Sequence, residues 1–167
     1  MVLSIELYGA YFTENSDNAR LLTLVMALEA LSEGKERPEY VQELIQKWEN
    51  EIKGRIVEYT DEDEKKSELE SLRGSLNHMK KDSLRKQLYD LVFSTLQANG
   101  DDDATEKARM IKNVYDARSK LVHEGKIEYK VLKASIREVK SLVERILKLK
   151  FLGIANKSLN LLLNSKL

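Results

Sequence analysis

The residues best suited to chemistry lie in one run, Tyr115-Asp-Ala-Arg118-Ser-Lys-Leu-Val-His123-Glu-Gly125. Arg118 stays charged and can direct two parallel hydrogen bonds to a phosphate. His123 is of the residue type that gains and loses a proton near neutrality. One fixed cation and one acid–base group suffice to cleave RNA without a metal, because the base activates a ribose 2′-OH and the cation stabilises the phosphoryl oxygens. The run is therefore a candidate catalytic site.

The spacing of Arg118 and His123 sets the geometry that this chemistry would need. Five residues on a helix correspond to about 140° of rotation and ~7.5 Å of rise, so the side chains leave the backbone in different directions. Gly125 predicts a helix end just after His123, and we expect the looser last turn to let the two tips converge on one anion. The negative helix end and Glu124 both favour the protonated imidazole. Alternatively, such a pair is merely two surface charges or a helix cap.

Other polar residues carry weaker signals. The chain has no Cys and only two His, which excludes thiolate metal sites and disfavours zinc. The acidic run Asp101–Asp103 lacks a calcium-loop pattern and is expected to be a solvated loop. We therefore expect no metal and no cofactor. His78 is assigned no role, and Trp48 lies near an apolar stripe, where we expect a core or interface residue.

The chain has 167 residues and no net charge, which suits one globular domain with a highly charged surface. Residues 1–104 hold 13 Lys and Arg against 22 Asp and Glu, whereas residues 105–167 hold 15 against 6. The second part could attract a polyanion such as RNA. No signal peptide is present and no apolar stretch approaches the ~20 residues of a membrane span. We expect a soluble, cytoplasmic protein without a membrane partner.

Apolar residues at spacings of three and four predict an all-α, up-and-down bundle of five to six helices. Predicted helices begin near Ser16, Pro38, Asp61, Ser83, Thr105 and Glu128, and Gly74 is expected to interrupt the third of them. We divide the chain into an extended N-terminal arm (1–15), the helical bundle (16–151) and an apolar C-terminal tail (152–167). The chemically interesting run ends the fifth helix.

The run from Tyr115 to Gly125 resembles the signature of HEPN proteins, in which an Arg and a polar residue precede a His. It is similar in detail to the Apea-like HEPN subgroup, whose pattern is Tyr-x-x-Arg-Ser-x-x-x-His-x-Gly. The run Ala27-Leu-Glu29-Ala-Leu31 also resembles the first core helix of that subgroup. The resemblance extends over roughly residues 19–150, and these two stretches are its specific matches.

The resemblance implies an HEPN-like bundle that forms homodimers, with the Arg–His motifs meeting near the dimer axis. It implies a metal-independent endoribonuclease of a toxin–antitoxin, phage-defence or RNA-processing system, with RNA as substrate and an antitoxin or nucleotidyltransferase as partner. Arg118 and His123 carry over as catalytic residues. Ser119 occupies the polar position after the Arg, Glu29 would orient Arg118, and Tyr115 is a supporting residue.

Three hypotheses follow for the function of the chain. The first is a homodimeric ribonuclease that uses Arg118 and His123. The second is a non-catalytic HEPN dimer that binds RNA, a nucleotide or a partner protein through the same residues. The third is a structural helical protein in which the motif is coincidental, and it predicts that Arg118 and His123 point into separate regions of solvent.

Overall fold

Seven helices make up the part of the chain that the structure, a computed structural model, describes: the backbone through residue 164 and the side chains through residue 153. The helices are α1 (Val2–Thr13), α2 (Asp17–Glu29), α3 (Glu39–Ile56), α4 (Glu64–His78), α5 (Leu84–Ala98), α6 (Ala104–Glu124) and α7 (Tyr129–Asn164). The only β pairing in this part of the chain is an isolated antiparallel bridge between Glu36 and Lys81. The predicted all-α class is confirmed.

Capping residues explain several of the helix ends. Ser16 precedes α2 in an extended conformation, as expected of an N-cap. The side chain of Asp63 accepts a hydrogen bond from the backbone N–H of Lys65 at 2.9 Å and so caps α4. Gly125 ends α6 with φ of 70°, a left-handed conformation that glycine adopts at little cost. The stop predicted after His123 is confirmed.

The prediction of an extended N-terminal arm is wrong, because residues 2–13 form helix α1. Leu7, Tyr8 and Tyr11 repeat at helical spacing and pack against the core. Ser4 is fully buried, and its hydroxyl donates a hydrogen bond to the backbone oxygen of Ala27 at 2.6 Å. These residues form the inward face of α1.

Two further helix boundaries differ from the predictions. Helix α4 runs through Gly74 without interruption, since one glycine costs a helix only about 1 kcal/mol. Helix α7 continues through Gly153 to Asn164, whereas the sequence suggested an end near Phe151. The side chains of the predicted C-terminal tail beyond Gly153 lie outside the described residues, so the packing expected for them stays a prediction.

The chain divides into two compact units, and the hairpin of α3 and α4 (residues 34–83) forms the smaller one. The larger unit contains residues 1–33 and 84–167 and therefore five of the helices. Among the side chains described through residue 153, its core contains twenty buried apolar ones from α2, α5, α6 and α7. The run with the candidate catalytic residues belongs to this larger unit.

Helix α1 packs on α2 and also contacts α7 through polar side chains. The hydroxyl of Tyr8 donates a hydrogen bond to the carboxylate of Glu144, which also accepts one from Lys140 at 2.7 Å. Burial and the hydrogen bond to Glu144 raise the pKa of Tyr8 well above its usual range. The hydrogen bonds from Lys140 and Tyr8 lower the pKa of Glu144, so this carboxylate stays ionised where it holds α1.

No helix in the described part of the chain combines the length and the apolarity needed to cross a membrane.

Candidate functional site

Arg118 stands on the buried stripe of α6. The stripe contains Ile111, Val114 and Leu121, and Arg118 lies four residues after Val114 and three before Leu121. Because residues three and four apart share a helix face, the Arg118 side chain is directed into the bundle. Only 22 % of it is exposed. A guanidinium in such a position needs an anionic partner nearby.

Glu29 supplies that partner from α2. It follows Val25 by four residues and Leu28 by one, both of which are buried, and its own side chain is 17 % exposed. The Nη2 atom of Arg118 lies 3.8 Å from the Oε1 atom of Glu29. The ion pair expected between these two residues is therefore present, while the role of Glu29 in function stays a prediction.

The Glu29–Arg118 pair is loose, because 3.8 Å is beyond hydrogen-bond length. The Oε1 atom of Glu29 and the Nε atom of Arg118 are both buried and lack a hydrogen-bond partner. Arg118 is thus attracted to Glu29 without being hydrogen-bonded to it. The pair thus leaves one donor of Arg118 and one acceptor of Glu29 without a hydrogen bond.

His123 lies in the last turn of α6 and is exposed. The adjacent Glu124 has its carboxylate 3.9 Å from the Nζ atom of Lys120 on the preceding turn. No residue of the described part of the chain forms a hydrogen bond or ion pair with the imidazole. The His123 side chain is therefore accessible to a molecule from solution.

Arg118 and His123 have different surroundings within one chain. Helix α6 stays regular through Glu124, so the looser last turn that would have brought the two tips together is absent. The side chains leave the helix about 140° apart. Arg118 is directed toward α2, whereas His123 faces solvent. Any reaction that uses both groups needs a substrate that spans them or a second copy of the chain.

The other residues of the predicted site lie beside Arg118. The guanidinium carbon of Arg118 is 5.9 Å from the centre of the Tyr115 ring, within the range of a cation–π contact. Ser119 is partly buried next to Arg118 along the helix. The structure thus places Glu29, Tyr115 and Ser119 around Arg118 and leaves His123 apart from this group.

Sequence reasoning missed Arg85, which braces the helix that carries the site. Its Nε and Nη2 atoms donate parallel hydrogen bonds of 2.7 and 2.8 Å to the two carboxylate oxygens of Asp116. Asp116 lies between Tyr115 and Arg118 in the run, and Arg85 comes from the first turn of α5. No local signal indicates this contact, because the two residues are 31 positions apart.

Metal ligands are not grouped in the part of the chain that the structure describes. No three His, Cys, Asp or Glu side chains are arranged there to hold an ion. The chemistry open to the site is that of an exposed imidazole, a guanidinium with unmade hydrogen bonds, and a carboxylate that holds this guanidinium in place.

The all-α bundle with Arg118, Ser119 and His123 near the end of α6 is consistent with the HEPN class of proteins. A family model described as Apea-like HEPN matches residues 22–155, and the chain belongs to that family. The match includes all the residues discussed above for the site. No curated protein and no solved structure matches the chain.

Proposed function

We propose that the protein is a metal-independent endoribonuclease in which Arg118 and His123 are the catalytic residues. The observation that carries the proposal is that the helix bearing the exposed His123 also bears Arg118, whose buried Nε lacks a hydrogen bond. An RNA linkage offers phosphate oxygens that can bind the guanidinium, and the neighbouring ribose offers a 2′-OH proton that the imidazole can remove. Membership of the Apea-like HEPN family supports the same activity.

In this mechanism the imidazole of His123 removes the proton of a ribose 2′-OH. The 2′ oxygen attacks the adjacent phosphorus, the bond to the 5′ oxygen breaks, and the charge on the phosphoryl oxygens is stabilised by Arg118. The leaving 5′ oxygen takes up a proton, so the products are a 2′,3′-cyclic phosphate and a 5′-hydroxyl. Tyr115, Ser119 and Glu29 support Arg118 in this scheme.

A homodimer would reconcile this mechanism with the separation of the two side chains. The approach of two Arg118–His123 motifs near a shared axis would place one chain's His123 beside the other's Arg118. His123 of the second copy would then give the proton to the leaving oxygen. A cytoplasmic toxin–antitoxin or phage-defence system, with an antitoxin or nucleotidyltransferase partner, is the setting that the family membership supports.

The test is incubation of the protein with mixed RNAs in EDTA. We expect cleavage to persist without divalent metal and to leave cyclic phosphate ends, and we expect His123→Ala to lose at least ~100-fold in rate. His78→Ala is the matched control, because His78 is the other histidine of the chain and is exposed at the end of α4. Full activity of His123→Ala would refute the mechanism.

A second candidate is a non-catalytic dimer that binds RNA, a nucleotide or a partner protein. The observation that favours it is the orientation of Arg118 toward Glu29 rather than toward His123. It predicts that Arg118→Ala weakens binding and that the affinity of the wild type falls with salt, while no RNA is cleaved. Cleavage products that vanish with His123→Ala would exclude this alternative.

A further inference from the structure

The α3–α4 hairpin has a very small core of its own. Its buried apolar side chains are Ile45, Ile52, Ile56 and Leu76. An ion pair also connects the two helices: the Nζ atom of Lys80, just after α4, lies 3.0 Å from a carboxylate oxygen of Glu49 in α3. Two packed helices bury little apolar surface, and stable helical bundles usually contain four.

One side of this hairpin carries an unfilled apolar groove. Its volume is about 390 Å³, and it is lined by Trp48, Glu51, Ile52, Arg55, Leu69, Leu72 and Leu76. Trp48 remains 41 % exposed and Leu72 49 % exposed at its walls. Leu44, one turn before Trp48 on the same face of α3, is 45 % exposed. The apolar stripe of α3 thus continues beyond what α4 covers.

We propose that this groove is an interface between two copies of the chain, formed when two hairpins pack into a four-helix bundle. The contact uses none of the residues of the Arg118–His123 motif. It is therefore separate from the dimer in which two such motifs meet, and it does not depend on the proposed ribonuclease activity.

The charges at the rim of the groove favour a second copy of the chain over a partner whose charges are all of one sign. Arg55 and Glu51 form an ion pair of 2.9 Å, and their side chains are 63 % and 57 % exposed. A strongly acidic or strongly basic peptide would meet a like charge at this rim. Two antiparallel copies of α3 whose two-fold axis passes near Lys53 instead set Glu51 of one chain opposite Arg55 of the other.

The exposed apolar surface also matches what such a contact requires. A standard interface buries roughly 800 Å² on each partner, of which a little over half is apolar. Leu44, Trp48, Leu72 and Met79 are each between 41 and 49 % exposed, and Tyr40 is 73 % exposed. Side chains of this size offer roughly 100 Å² each, so together they supply the apolar share.

The test uses Trp48, the only tryptophan of the chain. In the full-length protein, the mass in solution and the emission wavelength of Trp48 are measured together over an about hundredfold range of concentration. We expect the mass to double as concentration rises, and the emission to shift to shorter wavelength in parallel because the indole leaves water. An unchanging monomer mass, or a dimer that leaves the emission unchanged, would overturn the proposal.

Two substitutions assign the contact to the groove. Leu72→Asp places a charge on the groove wall and is expected to abolish both signals, whereas Leu72→Ala should weaken self-association about tenfold. Val57→Asp is the matched control, since Val57 is 82 % exposed on the same hairpin and does not line the groove. Circular dichroism checks that each variant keeps its helices. A folded Leu72→Asp or Leu72→Ala that associates as strongly as Val57→Asp would refute the assignment.

Discussion

At the scale of single residues, Arg118 and Glu29 form a partly buried ion pair in which hydrogen bonds are missing. Each occupies a position that the helical repeat assigns to an apolar side chain, and each leaves a buried polar atom without a hydrogen bond. The contact therefore stabilises the fold less than a hydrogen-bonded buried pair would. The same looseness leaves Arg118 free to bind an anion from outside.

A double-mutant cycle measures this pair directly. We expect Glu29→Ala to lower the free energy of unfolding by about 1–2 kcal/mol, because the charge of Arg118 loses its counter-ion in a partly buried position. In an Arg118→Met background the same change should cost less, with a coupling energy of about 1 kcal/mol. Urea unfolding of the four proteins gives these values.

Glu124→Ala is the control for that cycle. Glu124 is an exposed acid that pairs only loosely with Lys120 on the same helix, so its removal should change stability by less than about 0.5 kcal/mol. Strictly additive effects of Glu29→Ala and Arg118→Met would show that the two side chains do not interact in solution.

The resemblance predicted that Glu29 would lie beside Arg118, and a carboxylate buried beside a guanidinium gains a partner there. The spacing of Arg118 and His123 predicted that the two side chains leave the helix in different directions. The expected convergence relied on an irregular last turn. Gly125 instead ends α6 only after a regular turn through Glu124, which a sequence pattern does not reveal.

At the scale of elements, the end of α6 determines where His123 lies. Gly125 has φ of 70°, and a Cβ atom built there would meet nothing within 4 Å. Glycine is therefore favoured at this position by the left-handed backbone conformation and not by a lack of space for a side chain. A residue with a side chain would favour a different path for the chain after His123.

Gly125→Ala tests this account of the helix end. We expect it to lower the free energy of unfolding by about 1 kcal/mol, because alanine is strained in the left-handed region. Gly9→Ala in α1 is the matched control: Gly9 lies within a helix with equally open space, so alanine there should raise stability by up to about 1 kcal/mol. Thermal unfolding compares the two, and equal shifts of one sign would contradict the explanation.

Helix α1 shows where prediction of elements from the sequence reaches its limit. Its twelve residues are apolar on most sides, so the helical spacing of Leu7, Tyr8 and Tyr11 does not stand out in the sequence. The inward face is defined by tertiary contacts, such as that of Ser4 with Ala27 and that of Tyr8 with Glu144. Both contacts join residues far apart in sequence.

At the scale of the whole molecule, the two compact units differ greatly in the size of their cores. The larger unit buries twenty apolar side chains, whereas the hairpin buries four. The free energy that opposes local unfolding follows the apolar contacts of a region. The hairpin should therefore open while the larger unit stays folded.

Hydrogen exchange at low protein concentration tests this difference. We expect the backbone amides of α3 and α4 to exchange at least about tenfold faster than those of α2 and α5. Mass spectrometry of peptides from residues 34–83 and 84–98 resolves the two regions. Equal protection would mean that the chain unfolds as one cooperative unit.

The sequence predicted the all-α class correctly because the helical repeat is strong in α2, α3, α5, α6 and α7. It did not predict two units, since the hairpin carries the same apolar repeat as the other helices. The hairpin is a separate unit because the apolar faces of α3 and α4 form a core only with each other. Which helices an apolar face contacts is determined by the folded chain and not by the repeat within one helix.

The isolated bridge between Glu36 and Lys81 has a consequence for how the chain folds. Two backbone hydrogen bonds beside the bridge hold the two ends of residues 34–83 together. The N–H of Arg37 donates to the oxygen of Lys80 and the N–H of Asp82 donates to the oxygen of Lys35, each at 2.9 Å. Once they form, the fifty-residue segment between α2 and α5 restricts those helices only as a short connection would. The effective length of that loop is halved about three times, which lowers the entropic cost of closing it by roughly 2 kcal/mol. These backbone hydrogen bonds thus connect α2 and α5 as closely as a short loop would, although the two helices are far apart in sequence.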